Sequence, residues 1–213
     1  DKTAKEYFQT LKKYDKFKKD GLINGYNKFK STFEKVYLDE VFYLDFYSID
    51  RFGKTKLGQE LLYAKQSQDR NLISLLVKDI KPAIERLIKK YKISAVGFIP
   101  PTVKREVQFM RELEKNLKLP IKTLKISKIK TQVAVAQKTL TKLEDRIENA
   151  GHTIIVEDIG EYNNILLIDD AVGSGATLNE TARQFKNKKI AKGKIIGLAI
   201  TGSYKGFDVI SEV

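Results

Sequence analysis

Three short stretches are apolar on nearly every residue: SAVGFIP (Ser94 to Pro100), NILLID (Asn164 to Asp169) and KIIGLAIT (Lys194 to Thr201). A strand with one wet face alternates apolar and polar residues. A short run without alternation suits a strand buried on both faces, as in a parallel sheet covered by helices. VFYLDFYSI (Val41 to Ile49), rich in β-branched and aromatic residues, reads as a further strand, as do the stretch from Ile121 to Ile126 and HTIIVE. Between them lie stretches of helical period. One runs from about Leu57 to Lys65. A longer one runs from Asp69 to about Lys90, with Leu72, Leu75, Leu76, Ile80, Ile84, Leu87 and Ile88 on one face. Others cover about Glu106 to Asn116 and the residues after Thr177. This alternation predicts an α/β fold with a central, mainly parallel sheet flanked by helices.

Open α/β sheets bind ligands at the carboxyl ends of their strands. NILLID ends there in an acidic pair, Asp169 and Asp170. Ala171, Val172, Gly173, Ser174, Gly175 and Ala176 follow, a turn with little side-chain bulk. Thr177, with Glu180 three residues on, reads as the N-cap of a capping box, so a helix should start directly after the turn. Helix N-termini and glycine turns offer N–H donors to a phosphate, while the two carboxylates accept from hydroxyls. A ribose 5-phosphate carries that combination of groups. The expected site is an exposed pocket at the carboxyl edge of the sheet. The sequence contains no G-x-x-x-x-G-K-[ST], and Gly173-x-Gly175 lacks the third glycine of a dinucleotide fingerprint.

The stretch ILLIDDAVGSGAT resembles the phosphoribosyl-pyrophosphate (PRPP) motif of type I phosphoribosyltransferases. A weaker likeness extends to the ComF-like, competence-protein branch of that family. It is carried by VGFIPPTVKREVQFMRELEKNLKLP, with Lys104 or Arg105 and Gln108, and by KIKTQVAVAQKTLTKLEDRIEN, with Lys128, Gln137, Leu140, Arg146 and Asn149. YAKQSQDRNLISLLVKDI looks like the branch's early Lys-then-helix segment. The resemblance covers about Val41 to Thr201 and implies a type I phosphoribosyltransferase-like fold. It departs from the family at Ala171 and Gly173, where bulkier or hydroxylated residues are usual, and the branch's Arg-Gly-Phe-Asn-Gln signature is not present.

The resemblance further implies PRPP as ligand, with Mg2+ as its companion cofactor. Residues Asp169 to Thr177 would bind PRPP: Asp169 and Asp170 would hold the ribose hydroxyls at the reacting sugar, and Gly173 to Thr177 the 5-phosphate. Pro101, Thr102, Lys104 and Arg105 would face the pyrophosphate. Lys128, Lys130, Gln137 and Arg146 would belong to a closing loop, although surface charge is an equal reading of the basic residues. Mg2+ keeps most of its water, so no dedicated metal cluster of the protein's own is expected. Two functions follow: transfer of the phosphoribosyl group to an acceptor the sequence does not name, or a non-catalytic phosphoribosyl-binding module in a DNA-uptake or DNA-processing complex. Whether such a chain pairs into a homodimer is left open.

The chain divides into a Lys-rich helical segment, residues 1–40, and a phosphoribosyltransferase-like domain, residues 41–213. In the first, Phe8, Leu11, Tyr14 and Phe17 fall at helical spacing, ended by Gly21 and Gly25. It reads as a packing helix, with a partner-docking arm as the alternative. The branch often carries an N-terminal Cys-rich zinc module, and Asp1 is expected to lie downstream of a processed or truncated piece. The net charge is +13, and of 40 basic residues all but seven are Lys. That excess suits nucleic acid as a partner, though Lys lacks the bidentate phosphate recognition of Arg. With no Cys, no signal region and no run of the ~20 apolar residues that span a bilayer, a cytoplasmic setting is expected. His152, the lone histidine, reads as a surface residue. Tyr204 and Phe207 are candidates either to stack on a base or to complete the core.

Overall fold

The computed structural model describes residues 2–49, 52–101, 105–129 and 142–204. Five parallel strands form its centre: β3 (Glu40–Phe46), β6 (Ile93–Phe98), β7 (Lys122–Leu124), β10 (Asn164–Val172) and β11 (Ile195–Gly202). Two short strands, β1 (Lys18–Lys19) and β2 (Leu22–Asn24), extend the sheet antiparallel, giving the order β1-β2-β3-β11-β10-β6-β7. The three apolar runs are thus neighbours in the middle, with Ile165 paired to both Ala95 and Ile195. Their two faces feed two cores. Ala95, Ile165, Leu167, Ile195 and Ala199 pack on one side with Phe29, Leu178 and Phe185. Val96, Leu166, Ile168, Ile196, Leu198 and Ile200 pack on the other with Leu61, Ile73, Leu76, Ile84 and Leu113. Burying each such side chain contributes about 1.5–3 kcal/mol.

The second face is covered by α3 (Lys56–Gln66), α4 (Arg70–Tyr91) and α5 (Phe109–Leu117). Thr55 caps α3 by accepting from the Gly58 amide at 2.9 Å, and Asp69 caps α4 by accepting from Asn71 at 2.7 Å. The first face carries α2 (Tyr26–Thr32) and α7 (Ala176–Asn187), with α6 (Leu143–Thr153) against α7. Two small two-stranded antiparallel sheets stand apart from the central one: β4 (Ser48–Ile49) with β5 (Gly53–Lys54), and β8 (Ile126–Lys128) with β9 (Ile154–Val156).

Several boundaries differ from the sequence reading. The strand expected from Ile121 to Ile126 is two strands in different sheets, β7 and β8, broken at Lys125. HTIIVE contributes a strand only over Ile154–Val156, because His152 and Thr153 close α6. The N-terminal helix α1 (Lys2–Asp15) stops before Gly21. The chain then turns between β1 and β2 on Asp20 and Gly21, at φ 54° and 77°. Asp-Gly is a strong signal for a two-residue hairpin loop, because both positions require positive φ.

The N-terminal 40 residues are fastened to the rest of the chain. Asn179 of α7 accepts from the Tyr37 amide at 2.8 Å and donates to the Lys35 carbonyl at 3.0 Å. Among the described residues no helix is long and apolar enough to cross a membrane.

Candidate functional site

β10 delivers Asp169 and Asp170 to the carboxyl edge of the sheet, in its last four residues. Both are half-buried, and the Asp170 amide donates to Asp169 Oδ1 at 2.8 Å. The pair does not stand alone. Lys65, at the end of α3, places its Nζ 2.5 Å from Asp170 Oδ2, with both side chains mostly out of solvent. Lys128 of β8 is close enough to act on both carboxylates. Burial pulls its ammonium below the usual value, against the opposing pull of Asp169 and then Asp170. Burial, and next the adjacent Asp170 carboxylate, push the Asp169 carboxyl up to about 7. Two carboxylates therefore share a confined space with two ammonium groups, and Asp169 is pushed toward its protonated form.

Lys65 is the lysine of the Lys-then-helix segment YAKQSQDRNLISLLVKDI, but the sequence alone gives it no partner. A signal was available: α3 buries Leu61, and Lys65 lies four residues further on, hence on the same inward stripe. A lysine on an apolar stripe needs an anion at its tip.

The turn after β10 is built for a tight backbone. Gly175 sits at φ 83° and serves as the N-cap of α7, which begins at Ala176. A Cβ at Gly175 would stand 2.3 Å from the Phe29 ring, so α2 closes the turn from beneath. Ser174 is buried, and its Oγ accepts from the Ala176 amide at 3.2 Å. The expected capping box at Thr177 and Glu180 does not form. The helix starts two residues earlier, on the left-handed glycine, and Glu180 instead receives Arg183 (2.7 and 2.8 Å) and Gln184 (2.9 Å). Gly173 and Thr177 keep partial exposure on either side of the buried Ser174–Ala176 segment. The positive end of α7 thus lies a few residues beyond the acidic pair.

The loop after β6 is stitched to the end of α3. Arg105 donates to the Lys65 carbonyl, the Val107 amide donates to Gln68 Oε1 at 3.1 Å, and Gln108 Nε2 donates to the Arg105 carbonyl at 2.6 Å. Pro101 is exposed, and no peptide bond among the described residues is cis. Thr102, Lys104, Lys130, Gln137, Leu140 and Phe207 lie outside the described residues.

The other candidates sort clearly. Arg146 and Asn149 are carried inward on α6 and buried, and burial pulls the Arg146 guanidinium below its usual value. His152 is exposed, 3.6 Å from Glu148 one helical turn away. Tyr204 packs into an aromatic cluster, its ring centroid 4.5 Å from Tyr14, 5.2 Å from Phe46 and 5.6 Å from Phe17.

Compared with known proteins, residues 60–213 match the model of the PRTase-CE family. Among solved structures, hypoxanthine phosphoribosyltransferase from Staphylococcus aureus is similar at 15% identity. The match covers 62% of this chain and 78% of that one, with a TM-score of 0.33. No curated protein matches the chain.

Proposed function

Because the chain belongs to the PRTase-CE family, of phosphoribosyltransferase type, we propose that it binds PRPP or another ribose 5-phosphate ligand at the carboxyl end of β10. The observation that carries this reading is the joining of two unlike recognition elements in nine residues. Asp169 and Asp170 offer acceptors for vicinal hydroxyls, and the Gly175 turn brings the start of α7 close behind them. Residues Gly173 to Thr177 would take the 5-phosphate, and Pro101, Thr102, Lys104 and Arg105 would face the pyrophosphate. Lys65 holds Asp170 in place for the sugar.

Mg2+ takes hard oxygen ligands and retains much of its water. Asp169 and Asp170 are donors of that kind, but Asp170 is engaged by Lys65. Among the described residues, no three His, Cys, Asp or Glu side chains converge. The donor set fits an ion that arrives with a pyrophosphate and meets Asp169, rather than one the protein holds alone. When bound, Mg2+ would offset the charge of the pyrophosphate. In the transfer itself, an acceptor's lone pair would form a bond to the anomeric carbon. The bond from that carbon to pyrophosphate oxygen would break, and pyrophosphate would leave with the electron pair. The protein's part is positioning and charge stabilisation.

A second reading is a non-catalytic phosphoribosyl-binding module of ComF-like kind in a cytoplasmic DNA-processing complex, favoured by the net charge of +13. Calorimetry with ribose 5-phosphate and with PRPP plus Mg2+, followed by pyrophosphate release over a panel of bases and amines, tests both. Binding with release supports transfer. Binding without release on any acceptor supports the module. Absence of binding by either ligand overturns the reading.

A further inference from the structure

We propose that α1 and the lysines after it form a docking face for single-stranded nucleic acid, beside the strand-end site and independent of what that site binds. Residues 2–19 carry seven Lys against two acids, Glu6 and Asp15. Four large aromatic side chains are exposed among the described residues, and three of them, Tyr7, Phe8 and Phe17, lie in this short stretch. Exposed rings interleaved with cations are the two elements that single strands require: planar faces for unstacked bases and diffuse positive charge for the backbone. Lys5, Phe8 and Lys12 are spaced three and four residues apart, which puts both charges and a ring exposed at 64% on one outward face.

A negatively charged lipid surface is the competing occupant for a basic helix. It would need an apolar stripe to bury among the acyl chains. In α1 that stripe is spent on the protein: Leu11 and Tyr14 pack inward, and Tyr14 sits against Phe46 and Tyr204. Tyr7 also packs edge-on against Phe52, and Phe17 against Phe46, so what remains outside is ammonium and above all the Phe8 ring, which fits bases and phosphates better than hydrocarbon. The location adds to the case. Phe46 ends β3 and Tyr204 follows β11, so α1 lies at the same carboxyl edge as Asp169, two strands or about 10 Å along the sheet. Lys18, paired with Asp45 at 2.8 Å, fixes the end of this segment to β3.

The test is fluorescence anisotropy with labelled, mixed-sequence single strands of about 12 nucleotides, DNA in one arm and RNA in the other, from about 50 to 200 mM salt. Affinity should fall steeply with salt in at least one arm. Phe8→Ala should weaken binding about five-fold or more. Lys5→Gln with Lys12→Gln should flatten the log–log salt slope by about 1.4. All three side chains are exposed, so the variants should melt with the parent. If Phe8→Ala melts early, the salt slope of the lysine variant decides alone. No binding in either arm, or an unchanged slope in the lysine variant, overturns the proposal. So does binding of α1 to phosphatidylserine vesicles, abolished by the same substitutions, with no binding of oligonucleotide. Ribose 5-phosphate titration of the same proteins separates the two sites. Failure of the parent to bind that sugar sinks the proposed function and leaves this docking face standing.

Discussion

Lys65 Nζ lies 2.5 Å from Asp170 Oδ2, and the carbonyl of the same lysine accepts from Arg105. One residue at the end of α3 therefore touches two parts of the proposed site, the end of β10 through its side chain and the loop after β6 through its backbone. Replacing it with Met leaves Asp170 beside Asp169 with less compensating charge. Breaking a buried pair from one side costs about 3 kcal/mol or more. Chemical denaturation should show a loss of that order for Lys65→Met, accompanied by weaker binding of ribose 5-phosphate. A variant as stable as the parent means that the pair contributes nothing to the fold.

The carboxyl of Asp169 supplies a pH signature. Its ordinary value is 3.8, and burial followed by Asp170 raises it to about 7. The folded state thus binds a proton that the unfolded state releases between those values, so this group's contribution to stability is full below about pH 4 and is lost as pH rises through 7. Asp169→Asn removes the titration. The parent should lose stability relative to this variant from about pH 4 to pH 7, read from urea unfolding across that range. Parallel curves would show that the group titrates as an ordinary aspartate.

Gly175 is closed by Phe29 as well as by its own φ of 83°. A side chain placed at Gly175 therefore meets a ring as well as an unfavourable backbone conformation. Even Gly175→Ala should destabilise by more than about 2 kcal/mol, from left-handed backbone strain and overpacking together. Ser174→Ala, which removes the bond to Ala176, should cost about 1 kcal/mol. Thermal melts of the three proteins give the order. Gly175→Ala melting with the parent would mean that Phe29 yields freely.

Asn179 holds the Lys35–Tyr37 segment by two hydrogen bonds across more than 140 residues of chain. Asn179→Ala should cost about 1–2 kcal/mol, by leaving part-buried backbone groups of Lys35 and Tyr37 without these partners. It should also raise amide exchange in α2 more than in α4. Equal protection of α2 in both proteins would show that packing of Phe29 alone holds it.

What could be read from the chain follows the physics of burial. β6, β10 and β11 are buried on both faces, so their sequences announce them and the acidic pair appears at the end of one. β1, β4 and β5 are two residues long, too short to set up any period, and only Asp20-Gly21 marked the first hairpin. The break between β7 and β8 at Lys125 was hidden because neighbouring strands in different sheets read as one. Lys65 escaped because its partner, Asp170, stands 105 residues away. The helix start after β10 lies two residues before the expected one: Thr177 and Glu180 fit a capping pattern, but a glycine already at positive φ needs no side chain to open a helix.

The order of strands also sets a timetable. β11 stands between β3 and β10, yet it is made after both. During synthesis, the ribosome releases β3 early and the β6–β7–β10 group later, and neither has its shared neighbour until residue 202 has emerged. Until then β3 and β10 each offer an unpaired, apolar edge, the surface most prone to pairing with another chain. The last strand made is therefore the one that converts two sticky fragments into a single sheet.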